Sequence, residues 1–420
     1  MGRRRQPLLR AAAELLNAAN GVRPLGREGY PTVAAFAFGW PTSEMAPLYM
    51  AGSMLGALWR AVRGDYRDWR GGIALLLKVI TWGLLWLIHR RNVASEPHFE
   101  QPLREALGEH YEAIAAQSQP AGRRRLTRVL PNEVLRRRYV EKADTVRYGP
   151  HPRVNFADIW RRRDLPRDGK APVLLQVPGG AWAIGMRRPQ AYPLLSHLAE
   201  RGWVCVSIDY RVSPKNTWPD HIVDVKRALA WIKEHIAEYG GDPDFVAITG
   251  GSAGGHLSSL AALTPDDTQY QPGFEDADTS VVAAVPIYGR YDWFSTEGPG
   301  RREFVGLLQK LVVKKRLKER RQVYLDASPI SRVRPDAPPF FILHGEYDSL
   351  IPVIEGREFA EALRDVSEET VAYAEIPQAQ HAFDFFGSPR GHYTAQAVEK
   401  FLSWVHAMRI PSSNAEAARL

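Results

Sequence analysis

FVAITGGSAGGHLSSLAAL, residues 245–263, decides how this chain folds. It opens as a short apolar run suited to a buried strand. It closes as a run of small and apolar residues suited to a helix, and the two meet at Gly250-Gly251-Ser252-Ala253-Gly254-Gly255. A strand that turns straight into a helix is a half-unit of a parallel α/β sheet. A serine held at such a turn needs neighbours without bulk, because a Cβ at Gly250 or Gly254 would crowd the strand against the helix. The turn exposes the hydroxyl and aims the next backbone N–H at the oxygen of an attacked carbonyl. A chemically silent βα turn can carry the same glycines, so the reading depends on partners.

Outward from this stretch, the pattern from about residue 140 is one of short β-rich runs. They lie at 142–149, 153–161, 172–177, 203–209, 245–249, 281–287, 340–344 and 370–376. Helical patterns at 189–201, 221–239, 253–263, 353–365 and 391–408 separate most of the later ones. Near-continuous apolar strands alternating with helices predict an α/β fold, an eight-stranded and mostly parallel sheet covered on both faces. Chemistry in such sheets gathers at the carboxyl ends of the strands.

The partners sit there. After the run PVLLQV comes Pro178-Gly179-Gly180-Ala181-Trp182, a glycine pair that frees backbone amides on the third strand–helix loop. Asp348 follows the strand at 340–344, and His381 follows the last strand. The order Ser252, Asp348, His381 is that of a nucleophile, an acid and a base brought together from separate strand ends. His344 and His256 lie near in sequence and read as structural hydrogen-bonders. Glu346 and Asp384 are weaker candidates for the acid. Asp209, Tyr210 and Arg211 read as braces at a strand end, and Cys205 as a small buried apolar residue.

These residues resemble the bacterial hormone-sensitive-lipase-like carboxylesterases of the α/β-hydrolase fold. The likeness spans about residues 140–408 and is carried by SIDYRVSP (207–214), GGSAGG (250–255), HGEYD (344–348) and QHAF (380–383). With its apolar, basic N-terminal extension, the arrangement is similar to actinobacterial membrane-associated lipases and esterases. The resemblance implies two-step acyl transfer of carboxylic esters with short-to-medium acyl chains. Ser252 is then the nucleophile, His381 the base and Asp348 its orienting acid, with an oxyanion hole from Gly179, Gly180, Ala181 and Ala253. It implies no cofactor and no metal. The sequence departs from the family's pattern twice. The loop usually begins with histidine, where Pro178 stands, and the residue before the nucleophile is commonly acidic, where Gly251 stands. Arylformamidases use a similar loop and triad, and a hydrolase fold without activity would also fit these departures, so both stay open at this point.

The 420 residues are 45% hydrophobic and 24% charged, a globular composition. One cysteine excludes an intrachain disulfide framework and multi-cysteine metal sites. The net charge of +8 is uneven: residues 1–138 hold 21 basic and 11 acidic side chains, the remainder 34 and 36. Arginine runs without a nucleic-acid fold signature do not point to nucleic acid. The start, MGRRRQPLLRAAAELL, lacks the core of a cleavable signal peptide. Leu8, Leu9, Ala12, Leu15, Leu16 and Ala19 instead predict an amphipathic helix that stops at Asn20-Gly21.

Two hydrophobic stretches follow, 31–59 and 71–88. The second would span about 27 Å as a helix, near the thickness of a bilayer's hydrocarbon core. Lys78 near its middle would cost about 3 kcal/mol there. Arg3–Arg5 before, Arg60, Arg63, Arg67 and Arg70 between, and Arg90–Arg91 after make every flank basic. The expectation is a membrane surface bound through residues 1–91, the alternative a helical pair packed over the catalytic domain. Residues 95–118 predict one amphipathic helix with Ser95 as N-cap. The division expected is a helical extension over 1–138, with a boundary near 119–125, a catalytic domain over 139–410 with a cap insertion at 290–330, and a disordered tail at 411–420. The basic run KKRLKERR (314–321) reads as a solvated face.

Overall fold

In a computed structural model, residues 6–26, 31–117, 132–265 and 267–409 are described. The arginines at 3–5, the boundary near 119–125 and the tail at 411–420 lie outside the described residues. All eight expected strands form: β1 (Thr145–Arg147), β2 (Phe156–Trp160), β3 (Ala171–Val177), β4 (Val204–Ile208), β5 (Gly241–Gly251), β6 (Ala284–Ile287), β7 (Phe340–Gly345) and β8 (Val371–Ile376). They make one sheet in the order β1-β2-β4-β3-β5-β6-β7-β8. The first two pairings, β1 with β2 and β2 with β4, are antiparallel, and the rest are parallel.

The alternation of side chains along each strand builds two cores. Val173, Leu175, Val206 and Ile248 face α9 (Asp220–His235), α10 (Ala253–Leu263) and α13 (Ile354–Val366). Leu174, Cys205, Ala247 and Val285 face α8 (Tyr192–Glu200) and α14 (Pro389–Arg409). Cys205 is fully buried among apolar groups, which push its thiol pKa up.

The N-terminal helices are α1 (Gln6–Val22), α2 (Pro31–Glu44), α3 (Ala46–Val62), α4 (Trp69–Val93), α5 (Pro97–Leu107), α6 (Tyr111–Gln117) and α7 (Asn132–Tyr139). Asp68 caps α4 by accepting from the Gly71 N–H at 2.8 Å. The buried positions of α4 are Gly71, Ala74, Lys78, Thr81, Leu85, Ile88 and Asn92. That strict three–four spacing is a seam like that of a coiled coil. Lys78 sits in it and is paired with Glu14 of α1 at 2.7 Å, while Ser53 of α3 donates to the same carboxylate at 2.6 Å. The single helix expected over 95–118 is instead two. Gly108, at φ +89, turns the chain between α5 and α6, and the Ser95 hydroxyl donates back to the Asn92 carbonyl rather than capping the next helix. Phe99 and Leu103 of α5 and Tyr111 of α6 pack into the α14 side of the sheet.

Residues 290–330 hold α11 (Arg301–Leu307), a wide π-helical turn over Leu308–Val312 and α12 (Arg321–Asp326). Leu308 and Val312 are buried, Phe304 and Leu311 pack on the same core, and Leu307 lies on the rim.

Candidate active site

Ser252 occupies the sharp turn at the end of β5 with φ 59 and ψ −121, a conformation that costs a non-glycine residue of order 1–3 kcal/mol. Its N–H donates to the Ile287 carbonyl at 2.9 Å, which ties the turn to β6. The glycines answer to measured crowding. A Cβ on Gly250 would lie 2.5 Å from the Gly254 backbone, and one on Gly254 only 2.1 Å from the Val177 carbonyl oxygen. Gly251, where an acidic residue is usual in the family, faces the ring of Tyr288. A Cβ there would come within 2.8 Å of it.

The loop Pro178–Trp182 lies directly against this turn: a Cβ on Gly179 would sit 3.1 Å from Ser252 Cβ. Gly180, Ala181 and Trp182 all take positive φ, at 126, 52 and 57. Two of the three are not glycine, so neighbours must hold the strain. Tyr210 OH donates to the Pro178 carbonyl at 3.0 Å. Gln190 clamps Gly179 from both sides, accepting its N–H at 2.7 Å and donating to its carbonyl at 3.1 Å. The Gly179 amide, expected among the oxyanion donors, is thereby engaged by a side chain. Trp182 Nε1 donates to His256 Nδ1 at 3.2 Å, and its ring packs edge-on against Trp293. Burial pushes the His256 pKa down to about 3 and that of neighbouring His221 to about 4, so both are neutral hydrogen-bonding groups. His256 Nε2, 2.7 Å from the Ala327 carbonyl, carries the proton. The anchor of the loop is this buried cluster of indoles and neutral imidazoles.

Beyond β7, Asp348 accepts from the Leu350 and Ile351 amides through Oδ1 at 2.9 and 2.7 Å. Its Oδ2 is 2.5 Å from His381 Nδ1. Gln380 Oε1 accepts from the His381 and Ser349 amides, both at 2.8 Å, and so joins the two loops. The other acids are turned elsewhere. Asp384, whose pKa burial raises, accepts from Tyr288 OH, and exposed Glu346 accepts from the Gln378 amide at 2.9 Å. His344 Nε2 donates to the Ile351 carbonyl at 2.9 Å; burial depresses its pKa and keeps it neutral. The braces expected at 209–211 are met: the Arg187 amide donates to Asp209, and Arg211 pairs with Asp220 and Asp224.

Tyr288 was not singled out by the sequence. Its ring fills the space beside Gly251 and stands 4.6 Å, centroid to centroid, from the His381 ring. Serine turn and histidine thus share one aromatic neighbour. Its position at the end of β6, between the strand that leads to Ser252 and the strand that leads to Asp348, was the available signal. Among the described residues, no three His, Cys, Asp or Glu side chains are grouped to hold a metal ion.

The sequence and fold have relatives. The BD-FAE family model matches residues 159–363. The "Probable carboxylic ester hydrolase LipM" of Mycobacterium tuberculosis is 49% identical over 404 residues, covering 95% of this chain and 93% of that protein. "Esterase LipQ" of the same organism is 52% identical over 274 residues, 65% of each chain. Among solved structures, the thermophilic esterase 2 of Thermogutta terrifontis with butyrate bound aligns at a TM-score of 0.55 and 25% identity, covering 65% of this chain and 96% of its own.

Proposed function

The chain belongs to the hormone-sensitive-lipase-like carboxylic ester hydrolases of the α/β-hydrolase fold, and on that premise we propose that Ser252, His381 and Asp348 perform its ester hydrolysis. His381 Nε2 takes the proton of the Ser252 hydroxyl as Oγ bonds to the ester carbonyl carbon. The carbonyl oxygen gains the charge, and the Gly180, Ala181 and Ala253 amides receive it. Asp348 holds the imidazole by Nδ1 and stabilises its charged form. The proton passes to the leaving alkoxide, the acyl group stays on Oγ, and water repeats the sequence to release the acid. The observation that carries this reading is the 2.5 Å contact of Asp348 Oδ2 with His381 Nδ1, with the Tyr288 ring bordering both His381 and the strained turn that bears Ser252. Ser252→Ala should lower turnover of p-nitrophenyl butyrate by about 10⁴- to 10⁶-fold. A fully active variant overturns the assignment.

Short-to-medium acyl chains fit an insertion at 290–330 that packs Phe304 against Trp182 at the oxyanion loop. The butyrate held by the Thermogutta relative agrees with that size. A series from acetate to laurate esters tests it, and an optimum at the long end counts against it.

The same proposal gives residues 1–138 the task of holding the catalytic domain, 139–410, at a lipid surface. Within Trp69–Leu107 an 18-residue stretch is long and apolar enough to cross a membrane, with mean hydropathy 1.9 and 33% of it buried. α4 turns its lysine, threonine and asparagine inward, and Leu76, Val79, Ile80 and Trp86 outward. The Glu14 carboxylate also cancels the charge of Lys78 that made insertion costly. A groove of about 1000 Å³ opens among α1 to α4, lined by Leu16, Leu25, Phe38, Leu48 and Tyr49 among others. Arg63 and Arg70 stand over Trp59 and Trp69, where anionic headgroups would meet them. Flotation with phosphatidylglycerol vesicles should carry the full chain upward. Recovery of a freely dissolved, monomeric chain without detergent refutes this part.

A further inference from the structure

One helix of the N-terminal extension reaches into the catalytic apparatus. Phe36, Trp40 and Glu44 recur every fourth residue on α2 and so share one face. That face lies along the loop carrying His381. The Phe36 ring meets the His381 ring at a 5.7 Å centroid distance in an edge-on geometry. Trp40 Nε1 donates to the Ala382 carbonyl at 2.7 Å. The Trp40 ring also packs on Phe385 and Phe386, at 5.1 and 4.7 Å. Ser349 Oγ, next to Asp348, lies 3.3 Å from the Thr32 carbonyl of α2 and 3.2 Å from Gln380 Oε1, and its one proton is shared between them.

The residue that Trp40 grips is a strained one. Ala382 has φ +59, a left-handed conformation that a residue with a Cβ leaves unless its surroundings hold it. Its carbonyl accepts both the Trp40 indole and the Phe385 amide at 3.2 Å. Because Ala382 directly follows His381, its backbone angles fix the course of the loop on which the imidazole is carried. His381 Nδ1 is fixed by Asp348, but a ring pinned at one nitrogen still pivots about that bond. The second constraint, on the backbone side, comes from a residue 342 positions earlier in the chain.

We propose that Trp40 is a positioning residue of the esterase reaction: by holding Ala382 in its left-handed conformation, it keeps His381 aligned with Ser252. The extension is therefore part of the active site as well as its carrier. The proposal rests on the Ser252–His381 assignment, and its test is built to fail separately from it.

Trp40→Phe keeps an apolar ring on Phe385 and Phe386 and removes the N–H together with the indole's second ring. The full chain is assayed with p-nitrophenyl butyrate, and active sites are counted by titration with a fluorophosphonate. The expected result is a kcat per titrated site about five- to twentyfold lower, with KM within about twofold and a nearly unchanged melting midpoint. A merely structural role would reduce the number of titratable sites and leave kcat per site at the wild-type value, which overturns the proposal. Should Trp40→Phe fail to fold, Trp40→Tyr, which keeps a larger ring and likewise lacks the indole N–H, takes its place with the same expected loss of kcat per site. Wild-type kcat there also overturns it. Ser252→Ala is run beside them. If that variant stays active, the underlying assignment has failed. If it is dead while Trp40→Phe turns over at the wild-type rate, the positioning role alone has failed.

Discussion

Two helices of similar apolar composition meet opposite fates. α10, AGGHLSSLAAL, has all of its residues buried between the sheet and α9. α4, WRGGIALLLKVITWGLLWLIHRRNV, buries a seam in which Gly71, Ala74, Lys78, Thr81 and Asn92 accompany Leu85 and Ile88, and leaves Leu76 at 59% and Trp86 at 52% exposure. In the catalytic domain the apolar groups are spent on internal packing, and polar groups such as His256 are satisfied in place. In the extension polar groups share the seam with a small apolar cluster, and many large apolar groups face out. Composition counts the apolar residues. The period of the polar ones shows which way the helix faces.

Substitutions can break this contrast or sharpen it. The largest effect is expected from Asp348→Asn, which leaves His381 without its charge partner and should lower kcat by about 10⁴-fold. Vesicle flotation should be unchanged, and any loss of lipid binding would show that the two regions do not act separately. Leu260→Ala opens a cavity under the sheet and should cost about 2–5 kcal/mol in urea unfolding. Acid acts on the catalytic side as well. His256 and His221 stay neutral in the folded state down to about pH 3 and 4, whereas an unfolded histidine takes its proton near pH 6.5. Stability should therefore be full above pH 6.5 and decline below it, by roughly 3 kcal/mol per histidine at pH 4. Urea melts from pH 7 to 4 measure this, and a flat profile refutes it. Replacing His256 with Gln should flatten the slope. The smallest effect on stability belongs to the extension: Leu76→Ala should change the melting free energy by no more than about 0.5 kcal/mol while weakening flotation. A loss comparable to that of Leu260→Ala would mean that Leu76 is covered in the folded chain and the contrast is false.

What the sequence discloses follows the range of each interaction. Strands β3 to β8 could be read because a parallel strand buried on both faces is a nearly unbroken apolar run, and the glycines around Ser252 announce a turn locally. Asp348, just past a strand, could be preferred over Asp384, which follows His381 too closely to orient its ring, and the structure puts the Asp348 carboxylate on the imidazole. The illegible parts join distant segments. Nothing near Trp40 speaks of Ala382, nothing in α4 names Glu14 as the partner of Lys78, and the hold of Gln190 on Gly179 depends on how the intervening loop bends back. The continuous helix expected over 95–118 fails at Gly108, whose neighbours on both sides keep helical spacing and so hide the break.

Glu44 and Arg390 meet at 3.0 Å, fully enclosed, across 346 positions of sequence, and Ser388 completes the contact. Burial raises the pKa of Glu44 and the guanidinium lowers it. Alone, either charge would be stranded in an apolar setting at a cost of about 3–5 kcal/mol. On the ribosome, α2 must wait for nearly the whole chain to be made before it can seat. Until then, its carboxylate has no counter-ion and its aromatic face no surface. α2 thus ties its seating to the completion of α14, the helix that supplies Arg390.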